Sequence, residues 1–278
     1  MKIKSFKEKM PILFCVVVAV IVLVEFKIAG QFLSSFIGNF FTESTDYFFV
    51  LFIGEFVAAI FVLLVAYLCG NLYTLKRQGV GLRRGFAIGG YPTVLFLLLA
   101  ALSLASEAFM GTEMLSRVHI MAYLGTMFLV GFVEELIFRG VIAETLIQHF
   151  GTTRGGIWAA TAISGVIFGS AHIFNIVEVE LLGVFVQIAV ASVLGMLLAA
   201  IYYRSGNLWV CILIHAGLDA ASLISSGVFA QGTIEEFVSS YSLLNLMPCI
   251  TYFIPVLVLL RVTKLGDIER WFGDGLNL

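Results

Sequence analysis

The sequence has 278 residues, of which 60% are apolar and only 12% charged, and its formal net charge is -2. Soluble domains carry about 25% charged residues, so this chain cannot build a water-facing surface, and lipid must be its solvent. The basic residues form no extended stripe, which excludes a nucleic-acid partner.

Lipid narrows the fold, because unpaired backbone groups are too costly in hydrocarbon and only helices or closed barrels span it. Barrel strands would read as alternating segments of about ten residues. The runs here are continuous and about twenty residues long, the length of a spanning helix. The expected fold is an all-α polytopic membrane bundle forming a single integral domain over 1–278. Eight apolar runs follow in chain order, at roughly 11–30, 47–69, 86–106, 118–138, 156–174, 181–203, 207–226 and 243–262. The first follows Lys2, Lys4, Lys7 and Lys9, which resembles the charged start of a signal peptide. Seven more runs come after it, so it reads as an uncleaved anchor, although Ala29 and Gly30 would suit a cleavage site.

Orientation follows from the basic residues in the short loops. With the N-terminus in the cytoplasm, the inner segments hold Lys2, Lys4, Lys7, Lys9, Lys76, Arg77, Arg83, Arg84, Arg139, Arg154, Arg204, Arg261, Lys264 and Arg270. The outer segments keep only Lys27 and Arg117, a division of 14 against 2 that uses all 16 basic residues. Acids such as Glu43, Asp46, Glu107 and Glu113 collect in the outer loops. The expectation is eight spans with both termini cytoplasmic, in the cell membrane of a prokaryote. Cys15, Cys69, Cys211 and Cys249 sit in apolar runs without paired spacing and read as free thiols. Gly165 and Gly169, and Gly85 and Gly89, are four apart and read as close helix packing.

A charged side chain near the centre of a spanning helix costs roughly 2.5–3.5 kcal/mol on insertion scales. The segment Gly131-Phe132-Val133-Glu134-Glu135-Leu136-Ile137-Phe138-Arg139-Gly140 holds three. Glu135 and Arg139 are four apart, share a helix face and can neutralise each other. Glu134 is rotated about 100° away and needs another partner, or sits poised as a general base on water. The apolar residues Val141-Ile142-Ala143 and Leu146-Ile147 carry the helix on to His149 or Phe150. In the fifth run Phe168 and His172 share a face. A lone membrane histidine is more often a helix-to-helix hydrogen-bonding group. In the seventh, His215 and Asp219 share a face, and an aspartate can fix an imidazole's tautomer and orientation. His119 and His149 read as interfacial. Glu55 and Gln187 line the same cavity or bond to a neighbouring helix. Counted from the inner ends, Glu134 and His172 lie about sixteen residues in, roughly 24 Å, against roughly 12–18 Å for His215 and Asp219. The levels agree only if helices project or tilt.

Glu134-Glu135-x-x-x-Arg139, Phe168-x-x-x-His172 and His215-x-x-x-Asp219, in that order on three apolar helices, resemble the CPBP family of intramembrane peptidases (CAAX proteases and bacteriocin-processing enzymes, Abi-type). The resemblance covers residues 118–226, the expected catalytic core. It implies hydrolysis of a peptide bond in a membrane-associated protein or peptide. Glu134 would activate water with His172 assisting, Glu135 and Arg139 would form the structural ion pair, Phe168 would support the motif, and His215 with Asp219 would form the oxyanion site. An ionised Asp219 cannot donate a hydrogen bond, so it is protonated, orients His215, or helps to bind a metal. His172, His215, Asp219 and Glu134 could hold zinc or another divalent metal with an open position. Members of the family have been described both as metalloproteases and as glutamic endopeptidases; the preferred reading requires no cofactor. The alternatives are a non-catalytic scaffold, conferring bacteriocin self-immunity or modulating a sensor kinase, and a proton-carrying transporter. The transporter would show an internal repeat, and none is seen.

Overall fold

A computed structural model describes residues 2–38, 47–229 and 231–273; Glu43 and Asp46 lie outside the described residues. Every regular element among these is helical, as the backbone requirement of a lipid solvent demands. Among the described residues five helices are long and apolar enough to cross a bilayer: Tyr47–Leu68, Gly90–Met110, Arg117–Phe150, Arg154–Val177 and Leu181–Ser205. A sixth crossing is made if Leu243–Leu259 and Val262–Phe272, which meet at 63°, act together. The apolar segments Pro11–Phe26 and Leu208–Ser222 are shorter. The chain is therefore a multi-pass membrane protein. These elements coincide with the eight apolar runs, but five or six meet the length of a span. The count of eight and the side on which the ends lie rest on the charge pattern alone.

The helix at the centre is Arg117–Phe150, the glutamate helix, 34 residues long. At 1.5 Å per residue it measures about 51 Å, well beyond the roughly 30 Å of a hydrocarbon core. A helix of that length must project beyond the hydrocarbon layer or tilt within it, the condition under which Glu134 and His215 can share a level. It runs as α-helix over Arg117–Glu135, widens to a π-helix over Leu136–Ala143, and resumes as α-helix over Glu144–Phe150. The Glu144 amide accordingly donates to the carbonyl of Arg139, five residues back.

A π-turn is rare because its backbone bonds are poorly placed, and at membrane depth its carbonyls need other donors. They find them on surrounding elements. Ser164 Oγ donates to Phe138 O (3.5 Å), Asn71 Nδ2 to Gly140 O (2.8 Å), Cys15 Sγ to Ile142 O (3.8 Å) and Tyr203 Oη to Ala143 O (2.9 Å). Asn71 in turn accepts from Lys7 Nζ at 2.7 Å, and burial pushes the Lys7 ammonium below its ordinary pKa. All four cysteines are free, and Cys15 is a carbonyl donor rather than only a small apolar filler.

Arg154–Ser170 and Leu181–Ser205 cross closely where glycine leaves room. A Cβ on Gly169 would lie 2.0 Å from Ser192 Oγ and 2.5 Å from Ile188 O, and one on Gly165 would lie 2.6 Å from Ser192 O. Gly85 and Gly89 make the same provision for the helix Leu208–Ser222, where a Cβ would meet Val210 at 2.2 Å and Ile214 at 2.4 Å. Both pairs serve close packing, as expected. Gly169→Val is expected to destabilise the full-length protein in detergent by about 1–3 kcal/mol through overpacking. Gly155→Ala, where a Cβ meets nothing within 4 Å, should unfold within about 0.5 kcal/mol of the parent. Equal midpoints for the two variants would contradict the crossing.

Candidate active site

Glu135 and Arg139 are both fully buried, and Arg139 Nη1 donates to Glu135 Oε1 at 2.7 Å. Arg139 also donates from Nη2 to Gly195 O at 3.2 Å and stands 4.4 Å over the Phe168 ring. The guanidinium thus stitches the glutamate helix to Leu181–Ser205 and Arg154–Ser170. The shared face read from the spacing is real, and the pair does more than neutralise itself. The same oxygen, Glu135 Oε1, lies 2.7 Å from His215 Nδ1. A carboxylate only accepts, so Nδ1 carries the proton and Nε2 is the nitrogen presented to the site.

Around Nε2 stand the other two acids. Glu134 Oε2 is 3.7 Å away and Asp219 Oδ2 3.4 Å away. Their side chains are 27% and 30% exposed, against 0% for Glu135. Of the roles left open for Asp219, fixing the tautomer of His215 through Nδ1 is taken by Glu135 instead, while Asp219, one turn further along Leu208–Ser222, lies on the Nε2 side.

His172 sits beyond the end of the α-helix Arg154–Ser170, in the 3-10 turn Ala171–Val177. Its Nδ1 lies 3.3 Å from Phe168 O, and it makes no direct hydrogen bond or ion pair with Glu134. Phe168 connects it to the rest. The Phe168 ring meets the rings of His172 and His215 edge-on, with centroids 5.6 and 5.7 Å apart. One buried phenylalanine therefore packs against both histidines and the arginine. Among the described residues no three His, Cys, Asp or Glu side chains are grouped to hold a metal ion. The four expected donors do not form such a group as placed.

Two residues left open by the sequence now have places. Gln187 Oε1 accepts from Asn175 Nδ2 at 2.9 Å, so it bonds to a neighbouring element. Glu55, 6% exposed, lies in a buried stripe with Ala58, Ala59 and Val62. Its Oε2 has no hydrogen-bond partner, and Glu134 and Asp219 are near enough to act on its charge.

A second buried cluster escaped the sequence reading. Glu144 accepts from Tyr73 Oη (2.8 Å), Tyr202 Oη (2.5 Å) and Gln148 Nε2 (3.0 Å), and pairs with Arg77. Arg77 lies over the Phe272 ring at 4.7 Å. Arg77 looked like an ordinary loop cation. Glu144 stood in plain view between Val141-Ile142-Ala143 and Leu146-Ile147, an acid in an apolar stretch by the criterion that marked Glu134.

Arg139→Ala is expected to destabilise the protein by about 3–5 kcal/mol, because it leaves Glu135 buried without its cation. Arg139→Lys should restore only part of this, since an ammonium lacks the planar fork that reaches Glu135 and Gly195 together. Chemical unfolding in detergent measures both, and parental stability in the alanine variant would sink the argument.

Residues 116–221 match the family model described as Rce1-like, type II CAAX prenyl endopeptidase Rce1-like. No curated protein and no solved structure matches the chain. The matched stretch holds Glu134, Glu135, Arg139, Phe168, His172, His215 and Asp219, and over it the chain is similar to the Rce1-like family, consistent with the CPBP resemblance of its three motifs.

Proposed function

We propose that this protein is an intramembrane endopeptidase that hydrolyses a peptide bond in a membrane-associated protein or peptide, with a prenylated CAAX C-terminus as the substrate class. The observation that carries the reading is the pairing of a partly exposed Glu134 with a histidine whose other nitrogen is locked by the buried Glu135 and Arg139. The Rce1-like match supports the substrate class. The bilayer of a prokaryotic cell is the proposed setting.

In this reading Glu134 takes a proton from a water molecule, and the hydroxide forms a C–O bond to the scissile carbonyl carbon. The negative charge that develops on the carbonyl oxygen is met by an Nε2–H of His215 in its imidazolium form. Glu135 stabilises that imidazolium by accepting from Nδ1, while Arg139 holds the same carboxylate oxygen from its own helix. Asp219, on the same side as Nε2, serves the oxyanion as a protonated donor. Glu134 then passes its proton to the leaving amine nitrogen as the C–N bond breaks. His172 assists through the substrate or a water molecule rather than by touching Glu134. No step is routed through a metal.

Full-length protein reconstituted in liposomes with a farnesylated Cys-a-a-X peptide tests this, with products read by mass spectrometry. Glu134→Gln is expected to lower kcat by about 10²–10⁴-fold while the protein still inserts and accumulates. Cleavage unchanged in that variant would move the reading to a non-catalytic scaffold. Asp219→Asn supplies a permanent amide donor and should retain cleavage, whereas Asp219→Ala should lose about 10²–10³-fold. Dialysis against a chelator should leave the rate unchanged; loss restored by zinc would overturn the metal-free mechanism.

A further inference from the structure

At the end of the bundle that the charge pattern assigns to the cytoplasm, away from the motif residues, lies a cavity of about 420 Å³. Five cations line it, Arg84, Arg204, Arg261, Lys264 and Arg270, against one acid, Asp267. Such an excess of one sign in a concave site is costly without a counter-ion, since each charge raises the desolvation and repulsion felt by the next.

Arg204 anchors the site. It is only 7% exposed. Its Nη1 donates to Leu259 O at 3.0 Å and its Nη2 pairs with Asp267 at 2.9 Å. Its Nε has no hydrogen-bond partner, and Arg84 and Arg261 act on it as like charges. Asp267 therefore satisfies one edge of one guanidinium, and no second acid lines the cavity to match Arg84, Arg261, Lys264 and Arg270. The lining also includes Val258, which is exposed among the apolar residues of Leu243–Leu259. The cavity thus joins a cationic floor to a surface that faces lipid tails.

We propose that this cavity binds the phosphate group of an anionic phospholipid, with Arg84, Arg261 and Lys264 as contact cations and Arg204 as the buried anchor. A phosphate diester supplies the acceptor oxygens that guanidinium and ammonium groups take, and the adjoining apolar wall takes the first methylenes of the acyl chains. The cytoplasmic leaflet offers such lipids in excess. The inference does not depend on the peptidase reading, because no residue of the cavity belongs to the motifs.

Trp271 also lines the cavity and reports on it. Full-length protein in zwitterionic detergent is titrated with brominated phosphatidylglycerol or brominated phosphatidylcholine, following tryptophan quenching. Phosphatidylglycerol is expected to quench a component that is missing in Trp271→Phe, and phosphatidylcholine is not. The double variant Arg261→Gln/Lys264→Gln should require roughly 30-fold more lipid, for two surface cations lost. Lys264→Gln alone should give a smaller shift, and near-ultraviolet circular dichroism checks that both variants are folded. Displacement by excess inorganic phosphate supports the phosphate contact. Equal quenching by the two lipids, or a folded double variant that titrates like the parent, overturns the site. Protection by inorganic phosphate without any response to phosphatidylglycerol overturns the lipid as its source.

Discussion

One carboxylate oxygen holds the centre of this molecule together. Glu135 Oε1 accepts from Arg139 on its own helix and from His215 on another, each at 2.7 Å. On a protein surface such pairs contribute little. Inside the bundle, where none of the three groups can fall back on water, removing any one leaves a buried charge or donor without a partner. The orientation of the imidazole, the approach of Leu208–Ser222 to the glutamate helix and the seat of Arg139 over Phe168 all depend on it. Adjacent residues meet opposite fates as a result. Glu135 is sealed in and spends its charge on structure, while Glu134, a third of a turn away, keeps an accessible carboxylate beside Nε2.

The bundle and most of its central residues were legible in the sequence because membrane burial makes charges conspicuous. Hydropathy marks each apolar run, and a spacing of four shows that Glu135 and Arg139, or His215 and Asp219, share a face. What spacing cannot show is which group of another helix occupies the other nitrogen of a ring. The Glu135–His215 contact spans 80 positions of sequence, so spacing offered only the nearer acid, Asp219, as a partner for the imidazole. His172 was legible as a residue but not as a position, because the change from α-helix to 3-10 turn at Ala171 has no compositional sign. Glu144 was overlooked for a different reason. It lies past the apolar run's apparent end, and Arg77, its cation, carries the ordinary charge of an inner loop.

The glutamate helix therefore carries two buried acid–cation systems, about ten residues apart. The first, around Glu135, orders His215 and Arg139 beside Glu134. The second, around Glu144, gathers Tyr73, Arg77 and Tyr202 and brings Phe272 of the C-terminal segment against them. The last turn of Leu181–Ser205 serves both this cluster and the basic cavity, with Tyr202 turned to Glu144 and Arg204 to Asp267. The motif residues at one level and the basic cavity at the other are thus linked through the same few helices.

Between those two levels lies the widened turn Leu136–Ala143. Its carbonyls are served by Cys15 near the start of the chain, Asn71 in a connecting turn, Ser164 on the helix after it and Tyr203 on the next. These donors enter the bilayer at different stages of synthesis, and the last arrives well after the glutamates themselves. Until then the turn has no full set of partners, and the carboxylates beyond it have no fixed direction. The centre is in this sense a product of completed assembly: His215 and Asp219 follow even Tyr203 in the chain, so a chain inserted only as far as the glutamates lacks both the donors of the widened turn and the histidine that Glu135 holds.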